Sequence, residues 1–215
     1  MKIFLDTADT SIIQKHFATG LIDGITTNPT LIKKSGRDPL EVYQELKDLG
    51  ISDISMEVVG DADEMINEGK GLYDTFGDCC TVKVPCSPDG LRACKELSDL
   101  NIRVNVTLIF SQTQAILASK AGAKYVSPFV GRVDDNSFGG ICLVKDIVNV
   151  FKEHFVRTEV LAASIRNVRD VGRLFEHGAE IVTMPPAVFE KMYNHILTDK
   201  GLELFQADWE SVHSS

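Results

Sequence analysis

A lysine and two carboxylates stand in short segments that are otherwise apolar. Lys83 lies between Val82 and Val84. Asp6 is the last residue of the segment Lys2–Asp6, and Glu57 follows the three residues Ile, Ser and Met. An amine held among apolar neighbours loses hydration, which disfavours its charged form. The neutral amine is a nucleophile that can attack a carbonyl carbon. The pattern therefore predicts a reactive amine at position 83, and a purely structural ion pair with Glu57 or Asp6 is the alternative.

Polar side chains recur on one face of several strand-like segments. Because successive side chains of a strand point to opposite faces, residues two apart share a face. In the fifth segment, for example, Val106 and Leu108 are expected on the face opposite Asn105 and Thr107. The residues assigned to the shared polar face are Asp6, Thr26, Asn28, Ser55, Glu57, Thr81, Lys83, Asn105, Thr107 and Ser164, the last on the parity of Ala162.

The segments that position these residues alternate between strand and helix patterns. The predicted strands are Lys2–Asp6, Asp23–Thr26, Ile54–Val58, Thr81–Val84, Arg103–Leu108, Tyr125–Ser127, Glu159–Ala163 and Glu180–Thr183. Helix patterns include Pro39–Leu49, Ala62–Phe76, Asp89–Leu100, Ser111–Ala121 and Ile141–His154. Eight such units predict an α/β fold, a single (β/α)8 TIM barrel over residues 1–215, with the polar face lining the mouth at the strands' carboxyl ends. An open doubly wound sheet is the alternative, but no glycine-rich phosphate loop supports it.

Two arginines follow predicted strands and therefore belong to loops at the same mouth. Arg132 comes after the sixth strand, and Arg166 follows Ser164 after the seventh. Guanidinium groups grip phosphate oxygens in pairs. We expect these three residues to form an anion site.

The composition of the chain limits the classes of partner that it can bind. The 215 residues carry a net charge of −9, which argues against nucleic acid, and no apolar run has the roughly 20 residues of a membrane span. The N-terminus does not resemble a signal peptide. Five cysteines form no CxxC pair and fit reduced packing residues of a cytoplasmic protein. The five histidines lack the spacing of metal ligands, so we expect neither a metal nor a cofactor.

The chain ends in an additional amphipathic segment. Residues 201–212 have a helical pattern in which Leu202, Phe205 and Trp209 form one apolar stripe, and residues 196–215 are assigned to a C-terminal helical arm. The stripe predicts packing either across the end of the barrel or on a neighbouring subunit.

Five segments resemble signature sequences of the transaldolase family. They are Leu5–Thr7, Thr26–Leu31, Val82–Pro85, Asn105–Ser111 and Ala162–Arg166. The resemblance covers essentially the whole chain, and the length is similar to the short subfamily of small transaldolases and fructose-6-phosphate aldolases. It implies rings of five subunits that stack into decamers, so we expect a homo-oligomer.

The resemblance implies a role for each polar residue of the mouth. Lys83 would form a Schiff base with a ketose, Asp6 would take the proton of the C4 hydroxyl, and Glu57 and Thr107 would move protons through a water molecule. The substrate-binding residues that it implies are Thr26, Asn28, Asn105, Ser127, Phe129, Arg132, Ser164 and Arg166.

The implied reaction is transfer of dihydroxyacetone from sedoheptulose 7-phosphate to glyceraldehyde 3-phosphate. The similar aldolases have glutamine in place of Glu57 and tyrosine in place of Phe129, so these two residues and Asn105 favour transfer. Cleavage of fructose 6-phosphate and a non-catalytic sugar-phosphate-binding barrel are the alternatives.

Overall fold

Eight parallel strands close into a barrel in the computed structural model, which describes residues 1–213. Each strand pairs with the next along the chain, and β8 pairs with β1. The strands are β1 Lys2–Asp6, β2 Gly24–Thr26, β3 Ile54–Glu57, β4 Cys80–Pro85, β5 Val104–Ile109, β6 Tyr125–Pro128, β7 Glu159–Ala162 and β8 Ile181–Met184. Every predicted strand is confirmed to within one residue at each end.

Helices follow the strands and cover the outside of the barrel. The α-helices of residues 1–213 are α1 Thr10–Phe17, α2 Pro29–Ser35, α3 Pro39–Asp48, α4 Ala62–Phe76, α5 Pro88–Asp99, α6 Gln112–Lys120, α7 Val130–Asp135, α8 Gly140–Glu153, α9 Val168–Glu176, α10 Pro186–Lys191 and α11 Ile196–His213. The prediction of a (β/α)8 barrel with an additional C-terminal helix is confirmed.

Side-chain caps fix where the helices begin. Asp61 and Glu64 form a capping box at the start of α4, and Ser87, Ser111 and Asn167 each accept a hydrogen bond from a backbone N–H in the first turn of α5, α6 and α9. Such caps satisfy amide groups that have no partner within the helix. The caps therefore fix the residue at which each loop at the mouth joins its helix.

The core has two layers. Most buried apolar residues lie between strands and helices, whereas a smaller cluster fills the lumen with Phe4, Tyr125, Leu161, Ala163 and Ile181. Below this cluster the Tyr125 hydroxyl donates to Asp53 at 2.6 Å, and Thr81 donates to the same carboxylate at 2.8 Å. The closed end of the lumen is therefore sealed by packed and hydrogen-bonded side chains.

The predicted parity is wrong in two strands. Leu108 was expected beside Val106 on the helix-facing side, but its φ of 60° coincides with a register shift in β5 and places it at the edge of the mouth. In β7, Ala162 packs toward the helices, and Leu161 and Ala163 line the lumen. Left-handed backbone at a single residue reverses the direction of its side chain, which simple alternation cannot anticipate.

The cysteines of residues 1–213 are all free thiols. Cys80 and Cys94 are buried, and burial raises the pKa of each to about 12. They fit the predicted role of packing residues. Cys142 is exposed and does not fit it.

The helix α11 does not pack on its own barrel. It begins five residues before the predicted helix 201–212, and none of its described residues is buried. Leu202, Phe205 and Trp209 are 61%, 74% and 65% exposed, so packing of this stripe across the end of the barrel is wrong. Ser214 and Ser215, which belong to the predicted arm, lie outside the described residues. Within residues 1–213, no helix combines the length and apolar character that a membrane span requires.

Candidate active site

A cavity opens at the carboxyl ends of the strands and reaches into the lumen. It is lined by Asp6, Thr26, Asn28, Lys83, Asn105, Thr107, Ser127, Phe129, Leu161, Ala163, Arg132, Ser164 and Thr183. A second lobe, lined in part by Thr30, Leu31, Glu57 and Leu108, meets the first at Lys83 and Thr107. All but one of the predicted site residues thus line one continuous depression, and Arg166 is the exception.

Lys83 lies at the junction of the two lobes. It is only 5% exposed, and its Nζ donates to the Thr27 carbonyl oxygen at 2.9 Å. The Glu57 Oε2 atom is also 2.9 Å away. The register of β3 and β4 makes this contact inevitable, because Glu57 is paired directly with Lys83. The buried amine is thus held by one hydrogen bond and one ion pair, and it faces the cavity.

Two buried oxygens beside Lys83 lack hydrogen-bond partners among residues 1–213. They are Thr107 Oγ1 and Glu57 Oε2, the latter being close to Lys83 Nζ without the alignment of a hydrogen bond. A buried hydroxyl left unpaired costs about 1–3 kcal/mol. Such groups at a cavity wall are suited to hold a small polar ligand or a water molecule between them.

Asp6 accepts a hydrogen bond from Thr26 at 2.8 Å, and the Thr26 hydroxyl lies 2.7 Å from that of Thr183. Since Thr26 donates to the carboxylate, Thr183 donates to Thr26. Burial raises the pKa of Asp6, while the charge of Lys83 and the hydrogen bond from Thr26 oppose the increase. A carboxylate with a raised pKa is better able to take up and return a proton.

Amide side chains line the wall of the lumen beside Lys83. Asn105 is fully buried, donates to the Ser55 hydroxyl at 3.2 Å and accepts from the Ser127 hydroxyl at 2.7 Å. Asn28 caps α2, because its Oδ1 accepts from the Leu31 N–H at 3.0 Å. This bond uses the amide oxygen of Asn28 and neither of its two N–H donors.

The two predicted anion-binding arginines differ in their surroundings. Arg132 lies on α7 with its guanidinium 4.9 Å from the centre of the Phe129 ring, and no carboxylate of residues 1–213 pairs with it. Arg166 is half exposed and forms two short hydrogen bonds with Asp135. Only Arg132 therefore presents an unpaired guanidinium to the cavity.

Ser164 reaches the cavity by a different route from the predicted one. It has a φ of 60°, and its carbonyl oxygen accepts the Gly131 N–H at 3.0 Å. A Cβ atom on Gly131 would lie 2.4 Å from that oxygen and 2.7 Å from Arg166 Nε. Glycine is thus required where the loop after β7 crosses the start of α7.

Two groups of the site were not predicted. Thr183 lies two residues after Ile181 in β8 and therefore shares its face. The alternation argument that was applied to the other strands would have found it. The Thr27 carbonyl is a main-chain group, and no residue type reveals it. No cluster of three or more potential metal ligands occurs within residues 1–213.

A closed (β/α)8 barrel with a buried lysine, two carboxylates and hydroxyls at its carboxyl-terminal mouth has the architecture of a barrel enzyme. A solved structure of thiamine phosphate pyrophosphorylase from Pyrococcus furiosus shares the fold with a TM-score of 0.56, 14% identity and 85% coverage of both chains. At that identity the similarity concerns the fold alone.

Residues 3–215 match the family model described as transaldolase/fructose-6-phosphate aldolase. A probable transaldolase of Caulobacter vibrioides is 51% identical over 100% of this chain and 99% of its own length. Another from Nitrosopumilus maritimus is 50% identical over 99% and 96%. The chain belongs to the transaldolase/fructose-6-phosphate aldolase family, and these matches support a transaldolase-type function.

Proposed function

We propose that the protein transfers a dihydroxyacetone unit from sedoheptulose 7-phosphate to glyceraldehyde 3-phosphate through a Schiff base on Lys83. The products are erythrose 4-phosphate and fructose 6-phosphate, intermediates of the pentose phosphate pathway. The observation that carries the proposal is the buried Lys83 amine, which lies beside Glu57 and faces a cavity that also contains Asp6.

Imine formation uses the groups around Lys83. Once Lys83 has given up its proton, its amine attacks the C2 carbonyl of the ketose. The resulting carbinolamine loses water to give an iminium ion. A water molecule between Glu57 and Thr107 transfers the required protons. Two buried oxygens at this position, which have no hydrogen-bond partner in the part of the chain that the structure describes, support that role.

Cleavage of the carbon–carbon bond depends on Asp6. The carboxylate removes the proton of the C4 hydroxyl, the C3–C4 bond breaks, and its electron pair moves into the iminium to form an enamine while the aldose leaves. The enamine then attacks the aldehyde of the acceptor, and Asp6 returns its proton to the new hydroxyl oxygen. Hydrolysis of the second iminium releases the product. The raised pKa of Asp6 suits both directions of this transfer.

Substrate binding uses both ends of the cavity. Asn28 and Asn105 bind the hydroxyls of the dihydroxyacetone unit near Lys83, with Ser127 and Thr26 completing this wall. Arg132, Ser164 and Arg166 bind the terminal phosphate. Arg166 forms an ion pair with Asp135. To bind the phosphate, the Arg166 side chain must therefore release Asp135.

Transfer and cleavage differ in the fate of the enamine. Phe129 lines the cavity beside Lys83 and offers no hydroxyl that could activate water against the enamine. The relatives in Caulobacter and Nitrosopumilus are named probable transaldolases, which also favours transfer.

The proposal is tested by measuring erythrose 4-phosphate formation from sedoheptulose 7-phosphate with and without glyceraldehyde 3-phosphate. We expect turnover that depends on the acceptor and persists in EDTA, because no step requires a metal. Release of free dihydroxyacetone from fructose 6-phosphate at full rate without an acceptor would instead assign aldolase activity. Sugar-phosphate binding without any turnover would identify a non-catalytic barrel.

We also propose that the chain assembles into a homo-oligomer of cytoplasmic subunits, as a pentamer or a decamer. The apolar stripe of α11 supports the assembly, because its large side chains are exposed in the described part of the chain. Docking of this arm on a neighbouring subunit would remove the stripe from water.

A further inference from the structure

Phe110 is an exposed aromatic residue at the mouth of the barrel. It follows β5 directly, is 42% exposed and has no role in the reaction described above. Its backbone N–H donates to Gln114 Oε1 at 2.8 Å, and the next residue, Ser111, caps α6. These two hydrogen bonds hold the main chain from which the ring projects.

The ring of Phe110 contacts Phe129 edge to face. The two ring centres are 5.8 Å apart, with an angle of 62° between the planes. This arrangement is the one that aromatic quadrupoles favour. The guanidinium of Arg132 lies 4.9 Å from the centre of the same Phe129 ring. Phe110, Phe129 and Arg132 therefore form a continuous stack, here named the aromatic–arginine stack, that runs along the rim of the cavity.

Within residues 1–213 the guanidinium of Arg132 forms no ion pair or hydrogen bond, and its directional contact is the one with the Phe129 ring. Arg132 has no carboxylate partner there, in contrast to Arg166, which is held by Asp135. A long exposed arginine side chain loses rotamer entropy when it binds an anion. Contact with the Phe129 ring before the anion binds reduces that loss of entropy. The reduction is larger if the Phe129 ring is itself held in place by Phe110.

We propose that Phe110 is a positioning residue for phosphate binding, which orients Arg132 through the face of Phe129. The proposal rests on the proposed function, in which Arg132 binds the terminal phosphate of the sugar. Phe110 is not among the residues that line the two lobes of the cavity, so its effect falls on affinity for the anion and not on the chemical steps.

The test is titration of the full-length protein with inorganic phosphate by isothermal calorimetry. Phe110→Leu removes the ring pair that holds Phe129. We expect the dissociation constant to rise roughly two- to fivefold, the upper value corresponding to complete loss of the cation–π contact that the pair supports. Phe110→Tyr keeps the ring and should bind as the unaltered protein does. Phe155→Leu removes a ring that is 91% exposed and outside the stack, and serves as the matched control.

A second readout separates orientation from a general structural effect. The Arg132 Nε–H resonance should shift in Phe110→Leu and stay unchanged in Phe155→Leu. With fructose 6-phosphate, Phe110→Leu should raise KM by the same factor and leave kcat unchanged. The proposal is overturned if the unaltered protein binds no phosphate, or if Phe110→Leu binds it as tightly as Phe155→Leu. If no sugar phosphate is turned over but the phosphate titrations differ as expected, the proposed function fails and the positioning role stands.

Discussion

At the scale of single residues, Asp6 shows the conflict between catalysis and stability. Its carboxyl group is buried beside Thr26, and burial raises its pKa above the ordinary value of 3.8. The folded chain therefore holds this proton more tightly than the unfolded chain. The contribution of Asp6 to stability is fully present below pH 3.8 and is lost as the pH rises through the raised pKa of the folded state.

Replacing Asp6 by asparagine should therefore have opposite effects on activity and stability. The amide oxygen still accepts from Thr26, but proton transfer is abolished, so we expect kcat to fall at least about a hundredfold. The free energy of unfolding should exceed that of the unaltered protein at neutral pH, and the difference should vanish in acid. Urea unfolding of both proteins from neutral to acid pH measures this difference in the free energy of unfolding. A difference that grows toward acid would be incompatible with a raised pKa.

Thr183 provides a second prediction at this scale. Its hydroxyl donates to Thr26, which in turn holds Asp6. Thr183→Val keeps the shape and removes the hydrogen bond, which is worth about 1 kcal/mol and corresponds to roughly a fivefold loss of kcat. Thr158→Val is the control, because it removes a buried hydroxyl that donates to the Ala123 carbonyl away from the site. Equal losses of kcat in both variants would show that Thr183 acts only through stability.

At the scale of elements, short strand patterns between helix patterns located all eight strands, and side-chain alternation located most of the lumen-facing side chains. Alternation failed at Leu108 and at Ala162, which was expected on the face of Ser164. Leu108 and Ser164 both have a φ of 60°. Neither residue type favours that conformation, so the local sequence gives no warning. The paired Arg166–Asp135 side chains were also not predicted, because the contact depends on how the loop after β7 meets α7.

The crossing of that loop with α7 predicts the effect of Gly131→Ala. The added methyl group would meet the Ser164 carbonyl and Arg166 within 2.7 Å, so the loop and the helix must separate. We expect a loss of about 1–3 kcal/mol in stability, as for other overpacked sites, and an increased KM for fructose 6-phosphate. Gly172→Ala, where nothing lies within 4 Å of the new atom, is the control and should not lower stability. An unchanged KM in Gly131→Ala would show that the packing of the loop after β7 against α7 does not affect phosphate binding.

At the scale of the whole molecule, the barrel is complete within one chain but α11 is not covered. The sequence revealed the apolar stripe, yet it left open which surface the stripe contacts, because an amphipathic pattern carries no information on the partner. The exposure of Phe205 and Trp209 excludes the chain's own barrel within the described residues. Assembly with other copies follows as the proposed explanation.

A charge placed in the stripe should therefore disrupt assembly. For Phe205→Asp we expect sedimentation at the size of one chain, since burying an unpaired carboxylate in an interface is costly. Gln206→Asp introduces the same charge at the adjacent position and should leave the size unchanged. An unaltered protein that sediments as a single chain would contradict the oligomer.

The whole account depends on the amine of Lys83. Incubation with fructose 6-phosphate and sodium borohydride, followed by mass spectrometry of peptides, should find one covalent adduct, located at Lys83. The adduct should be absent from Lys83→Met and from samples without sugar. An unmodified Lys83 in active protein, or an adduct that persists in Lys83→Met, would contradict the Schiff-base mechanism.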